Sequence, residues 1–410
     1  MNITLLGNGF DLYYSLPTKY ENFLNTVHYL SCNDWSDLKT LGDVFRCQKL
    51  QEIDPWIAKS YHAYKEIYDT TPFNFDDANK LMALSKNMWF QYLRDSLNRD
   101  IGWIDFEKEI AFVASCFQER FSYGSSSRLC RDSKLSTEAE YIINKFDFFI
   151  DDKSNRPSYS SYGLQLTKDE YCIEYPIGSK NKILDKKKIV DVLTNSLNDL
   201  ASGLKFYLSC FVDRILPELI NQKMIASFDA LHHSDYVITF NYSNTYERFN
   251  LSDQVFHIHG TLESNIVLGI NPDSSDTFEN ADTTFIAFKK YYQRTMLGTD
   301  KAYIRWLRDH KDSKEFIHLV VMGHSLDISD KDIISELFKL ANEIVVLCRD
   351  KEDESKYIAN LVKIFGSEKF TSFRYEKNLT FVNLYSNHTS LVKTRKETCS
   401  LAQFKAPWIF

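Results

Sequence analysis

Apolar residues along this chain fall into two rhythms. Six short runs, "NITLL" (2–6), "DYVITF" (235–240), "QVFHIHG" (254–260), "FIHLVVMG" (316–323), "EIVVLC" (343–348) and "LTFVNL" (379–384), are dense in β-branched and aromatic residues and stop at polar residues or glycine. That pattern predicts buried strands. Residues 7–234 are instead dominated by helical spacing, as in "TKYENFLNTVHYL" and "VDVLTNSLNDLASGLKFYLSCFVDRIL". From residue 235 onward strands and helices alternate at short intervals, as in parallel β-α-β units. The expected fold is α/β. A Rossmann-like core with a mostly parallel sheet, built from residues 1–18 and 231–410, carries a large, mainly helical insertion after the first strand, residues 19–230.

Local punctuation refines this. "TKYE" reads as a capping box with Thr18 as N-cap and Glu21 at N3, so the first firm helix follows Pro17 and "FDLYYSLP" reads as a loop carrying Asp11 over the strand end. Ser329 and Asp332 suit a helix cap ahead of the apolar stripe Ile333, Ile334, Leu337, Phe338 and Ala341. Within the insertion, 123–136 and 151–170 are rich in Ser, Gly and charge and read as loops.

Composition excludes several function classes. A formal net charge of -7 argues against a surface that tracks phosphates, so nucleic acid is not indicated as a partner. The eight cysteines are scattered without a C-x-x-C, which suggests neither a disulfide framework nor a zinc knuckle. No signal segment and no apolar stretch of spanning length is visible, so the expectation is a cytoplasmic protein that does not enter a membrane.

The candidate chemistry gathers where the runs end. "LLGNGFD" places Gly7, Asn8 and Gly9 directly after the first run, where side-chain-free positions let a ligand approach backbone N–H groups, with Asp11 close by. The spacing lacks the third glycine of a dinucleotide fingerprint, since Leu12 stands there. Three further runs finish at Asn241, at His259-Gly260 and at Gly323-His324-Ser325. In open α/β sheets ligands bind at the carboxyl ends of strands. His257 and His259 share one face at i and i+2, but only His324 offers itself as a third ligand, so no metal is expected.

"LLGNGFDLYYSLPTKYENF" and "MGHSLDISDKDII" resemble the N-terminal and C-terminal signatures of the AbiH-like phage abortive-infection proteins, and "GWIDFEKEI", with Glu107, resembles another stretch of that family. "TFNYSNTYE" and "HIHGT" are similar to strand ends of sirtuin-type NAD-consuming domains. The resemblance implies an antiphage defence protein with NAD, or a related nucleotide, as substrate or ligand. Carried over residue by residue, it makes Asn241 and His259 the catalytic pair. Gly7, Asn8, Gly9 and Asp11 then belong to the cofactor loop, and Gly323 and Ser325 to a ribose-phosphate loop.

Cleavage of the nicotinamide–ribose bond passes through an oxocarbenium-like state. An Asn carboxamide can orient water there and a His can take its proton. The four-cysteine zinc site of sirtuins has no counterpart, which points away from protein deacetylation. The alternative is a non-catalytic nucleotide sensor or signalling partner in a defence complex; besides the nucleotide, the partners to expect are a phage trigger or defence protein and a second copy of the chain. A rival reads "GHSLD" as a hydrolase elbow with Ser325 as nucleophile, although Asp327 replaces its last glycine and only His388 follows in the order that class requires.

Overall fold

The structure, a computed structural model, describes residues 1–35, 37–99, 104–122, 128–130, 136–152, 164–174, 182–221, 234–249, 254–270 and 283–384. Its centre is a six-stranded, wholly parallel sheet of β1 (Asn2–Leu6), β2 (Tyr236–Thr239), β3 (Val255–His257), β4 (His318–Met322), β5 (Glu343–Cys348) and β6 (Thr380–Asn383), in the order β6-β5-β4-β1-β2-β3. Read from the other edge this is 3-2-1-4-5-6, the order of doubly wound dinucleotide-binding sheets, with its switch point between β1 and β4. The sheet confirms the α/β, Rossmann-like expectation, and each strand falls inside the run that predicted it.

Strands covered on both faces need apolar side chains on both, which is why the runs are nearly continuous rather than alternating. Ile3, Leu5, Leu319, Val321, Ile344 and Val346 pack on one face. Their partners come from α6 (Lys301–His310), α7 (Lys331–Leu340) and α8 (Lys351–Phe365), and the stripe Ile333, Ile334, Leu337, Phe338 and Ala341 is buried there as its spacing predicts. Leu6, Val237, Met322 and Leu347 turn to the other face and join one core with residues of the inserted helices. Among those helices are α2 (Tyr20–Ser31), α3 (Phe106–Ser122) and α4 (Lys186–Leu208).

Three local expectations are corrected. Residues 9–13, read as loop, form a short helix, α1 (Gly9–Tyr13). α2 starts one residue later than "TKYE" implies, with Lys19 rather than Thr18 at the N-cap; the Lys19 N–H donates to the Asn22 side chain at 3.0 Å, while Glu21 accepts from the N–H of Ile104 at 3.1 Å. The described parts of 123–136 and 151–170 contain short antiparallel strands, Arg128–Cys130, Phe149–Asp152 and Leu164–Thr167. The rest of those segments, Trp103 and His388 lie outside the described residues. None of the described helices is long and apolar enough to cross a membrane.

Candidate functional site

The register fixes which loops meet. Leu6 pairs with both Met322 and Thr239, and Thr239 pairs with His257, so β4, β1, β2 and β3 end at one level. The residues that follow, Gly323, Gly7, Asn241 and His259, therefore emerge on one edge of the sheet. His259 lies in the turn two residues beyond β3, not in the strand as its run suggested, and its ring faces different partners from that of His257.

At the switch point the glycines serve backbone contact. Gly7 N–H donates to the carbonyl of Met322 at 3.1 Å and Gly9 N–H to that of Gly323 at 2.8 Å. A Cβ on Gly7 would stand 2.5 Å from His324 Cα, and Gly323 itself sits at φ +68. The expectation that both N–H groups face a ligand is corrected: the two loops consume them by lying against each other. Asn8 and Ser325 are the exposed members of these loops. Asn8 donates to the carbonyl of Thr18 at 3.3 Å, and the Ser325 hydroxyl takes the N–H of Asp327 at 3.4 Å. His388, the histidine a hydrolase elbow at Ser325 requires, lies outside the described residues.

Behind this edge lie two buried polar clusters. In the first, Ser243 donates to Asp11 Oδ2 at 2.6 Å and receives the hydroxyl of Thr245 at 3.0 Å. Burial pushes the Asp11 carboxyl up to about 6 against the pull of these hydroxyls. His257 joins the same region, with Nδ1 on the carbonyl of Asn241 at 3.0 Å and Nε2 on Glu247. Burial disfavours its charge, but the Glu247 carboxylate outweighs that and raises the ring above its ordinary value. When protonated, the ring donates from both nitrogens, to the Asn241 carbonyl and to Glu247.

The second cluster joins the insertion to the core. Asp105 caps α3 by accepting the N–H groups of Glu107 and Lys108 at 3.1 and 3.2 Å, and Tyr20 stacks on Phe106 with centroids 4.0 Å apart, which fixes Glu107 in the first turn. Its Oε1 lies 2.8 Å from Lys290 Nζ, on α5 (Lys290–Leu297), and Lys290 reaches Asp330 Oδ1 at 2.8 Å on its other side. Asp330 faces His259 Nε2 at 3.4 Å and His324 Nε2 at 3.6 Å, and it accepts the Ser329 hydroxyl at 3.3 Å. His324 Nδ1 accepts the N–H of Leu326 at 3.0 Å, so its proton sits on Nε2, towards Asp330. The Phe240 ring contacts both imidazoles, with centroids 5.0 Å from His259 and 4.3 Å from His324.

Charge follows from this packing. Burial opposes ionisation of Asp330, but Lys290 and the two imidazoles hold it well below the usual carboxylate range. Burial and the Lys290 charge drive His259 down to about 4, so its ring is neutral at pH 7. Glu107, driven up by burial and restrained by Lys290, titrates at about 7. Asn241 Oδ1, Asp11 Oδ1 and His259 Nε2 are buried without a hydrogen-bond partner among the described residues. Orphaned polar atoms of this kind are costly to a fold and mark sites that something else completes.

Lys290 and Asp330 escaped the sequence reading. Ser329 and Asp332 were expected to cap α7. Instead Asp327 caps the preceding turn, Asp332 pairs with Arg294, and Asp330 holds the N-cap position while its carboxylate turns into the cluster. A cavity of about 620 Å³ opens beyond β3 between His257, Gly260, Glu263, Asn265, Thr299 and Lys205, and of the strand-end polar groups its wall includes His257. Among the described residues no group of three or more His, Cys, Asp or Glu is disposed to hold a metal. Lys290 supplies the cation that these carboxylates share.

No curated protein and no solved structure matches the chain. A family model does: the one described as Bacteriophage abortive infection AbiH matches residues 3–348, a span that includes β1, the helical insertion and both polar clusters, and the chain belongs to that family.

Proposed function

We propose that the protein acts in abortive infection by hydrolysing NAD or a related nucleotide bound across the carboxyl ends of β4, β1, β2 and β3. One observation carries this reading: at the switch point of a sheet with the dinucleotide-binding strand order, Asn241 Oδ1 and Asp11 Oδ1 are buried without a hydrogen-bond partner among the described residues. The similarity of "TFNYSNTYE" and "HIHGT" to sirtuin-type strand ends supports it.

In this reading Asn241 orients water at the anomeric carbon of the ribose. The neutral His259 ring holds a ribose hydroxyl, and Asp11 supplies negative charge near the developing cation. With the N–H groups of Gly7 and Gly9 spent on the neighbouring loop, the exposed side chains of Asn8 and Ser325 are the groups that meet the phosphates. Purified protein incubated with NAD, with and without lysate from phage-infected cells, is expected to release nicotinamide and ADP-ribose. Saturable NAD binding without release under either condition would turn the reading into that of a sensor; absence of both binding and release would overturn it.

A further inference from the structure

Hydrolysis at a glycosidic C–N bond needs somewhere for a proton to go. Water oxygen bonds to the anomeric carbon, the C–N pair leaves on the pyridine nitrogen as neutral nicotinamide, and one proton of the attacking water must be accepted. The leaving group needs no acid, so the demand on the protein is for a base. His259 is the obvious core residue, but its Nε2 faces Asp330 at 3.4 Å, and a ring titrating near 4 is a weak acceptor at neutral pH.

The insertion offers a better-placed group. Of Glu107, Lys290, Asp330, His259 and His324, Glu107 keeps 24% of its side chain accessible, and the others keep 8% or less. It is the solvent-accessible end of the cluster, anchored by Lys290 at 2.8 Å. The partly exposed Tyr20 and Tyr242 interact with it electrostatically. We propose that Glu107, delivered to the core by the first turn of α3, is the base that takes the proton from the attacking water, and that Lys290 and Asp330 are the positioning residues that hold it there. The inference rests on the hydrolysis reading above.

The groups facing Glu107 explain why it suits the role. Burial disfavours its charge most, Asp330 and Asp105 add to that, and Lys290 favours it. The balance leaves the carboxyl titrating near 7, where a base is both available and strong enough to be useful. The remaining oxygen can pass the proton to solvent, which returns the carboxylate for the next turnover and completes the balance of NAD and water to nicotinamide, ADP-ribose and a proton.

The test uses the full chain as wild type, Glu107→Gln and Glu107→Asp. Nicotinamide release is followed from pH 5 to 9, and binding of carba-NAD, which lacks the ribose ring oxygen and does not hydrolyse, is followed by calorimetry. Wild-type rate is expected to rise with pH through about 7 and then level. Glu107→Gln is expected to lose roughly 10²–10⁴-fold in rate and the pH-dependent rise with it, to bind carba-NAD within about threefold of wild type, and to be partly rescued by Glu107→Asp. Glu107→Gln that keeps rate and pH profile overturns the inference and leaves the hydrolysis reading standing. So does a parallel fall of rate, carba-NAD affinity and melting temperature in both variants, which marks a structural role. A wild type that binds carba-NAD without releasing nicotinamide from NAD, or that binds neither, overturns both readings.

Discussion

Lys290 Nζ lies 2.8 Å from Asp330 Oδ1, and the two side chains expose only 1% and 8% of their surface. Neither charge belongs in such a place alone, because desolvation costs several kcal/mol per ion unless the partner and further hydrogen bonds repay it. Lys290 repays it twice, with Asp330 and Glu107. We therefore expect Lys290→Met to destabilise the protein by about 3–5 kcal/mol, since it strands two carboxylates around an apolar side chain. Asp330→Asn should cost less, because Glu107 still pairs with the ammonium. Urea denaturation of the two variants at pH 7.5 tests the ranking, and equal costs would show that Glu107 contributes nothing to holding Lys290.

Asp11 reverses the usual pH behaviour of a carboxylate. Its pKa is raised in the fold from 3.8 to about 6, so between those values the native state holds a proton that the unfolded state has released. Stability from this group is fully present below pH 4 and is lost as pH rises through 6, by about 3 kcal/mol in all. Asp11→Asn removes the ionisation. The difference in unfolding free energy between wild type and Asp11→Asn is expected to fall across pH 4 to 6 and to stay level above. Ser243→Ala removes a hydroxyl that favours the charged form and should move the fall to higher pH. A difference that does not change with pH would place Asp11 in a wetter setting than the fold gives it.

Much of this was legible from the strand ends alone. A run such as "EIVVLC" can only be a buried strand where helices cover both faces, and Asn241 and His259 stood out because polar residues closing such runs face the ligand edge of the sheet. Lys290 and Asp330 carried no such signal. In "FKKYYQ" a lysine in a helical first turn looks solvated, and in "LDISDKD" each Asp looks like a cap. What distinguishes them is a partner 40 residues away, which neither periodicity nor propensity encodes. The glycines were legible as special but not in their role, because the sequence does not say whether a missing Cβ makes room for a ligand or for another backbone.

That role can be tested by putting the Cβ back. On Gly323 it would stand 2.2 Å from the backbone nitrogen of Phe10, at φ +68. On Gly9 it would stand 2.6 Å from Gly323 Cα. Gly298 has the same left-handed backbone, φ +69, but only the flexible end of Lys301 nearby, at 3.0 Å. Gly298→Ala should therefore cost the left-handed strain alone, about 1–2 kcal/mol. Gly323→Ala adds a clash of backbone with backbone and should cost about 2–5 kcal/mol. Similar losses in thermal unfolding for the two would mean that the loops separate at little cost.

Asn241 and His257 touch through a single contact, the Asn241 carbonyl on His257 Nδ1 at 3.0 Å, yet their side chains should behave oppositely. The Asn241 carboxamide oxygen is buried with no partner among the described residues, so removing it deletes a desolvation cost rather than a hydrogen bond. His257 satisfies that carbonyl and Glu247 together, and its loss leaves both without their donor. We expect Asn241→Ala to unfold within about 1 kcal/mol of wild type and His257→Ala to lose about 1–3 kcal/mol, the loss being largest at low pH, where the raised imidazolium contributes its stability, and shrinking as pH rises through its folded pKa. In activity the order should reverse. A residue used in the transition state lowers turnover without a matching loss of ground-state binding, so Asn241→Ala should keep NAD affinity and lose nicotinamide release and growth arrest during phage infection, while His257→Ala should keep most of both at temperatures where it stays folded. Urea unfolding, NAD calorimetry and infection assays on the two variants settle the assignment: an Asn241→Ala protein that arrests infected cells as wild type does would remove its carboxamide from the chemistry, and one that unfolds as readily as His257→Ala would make it a strand-end brace.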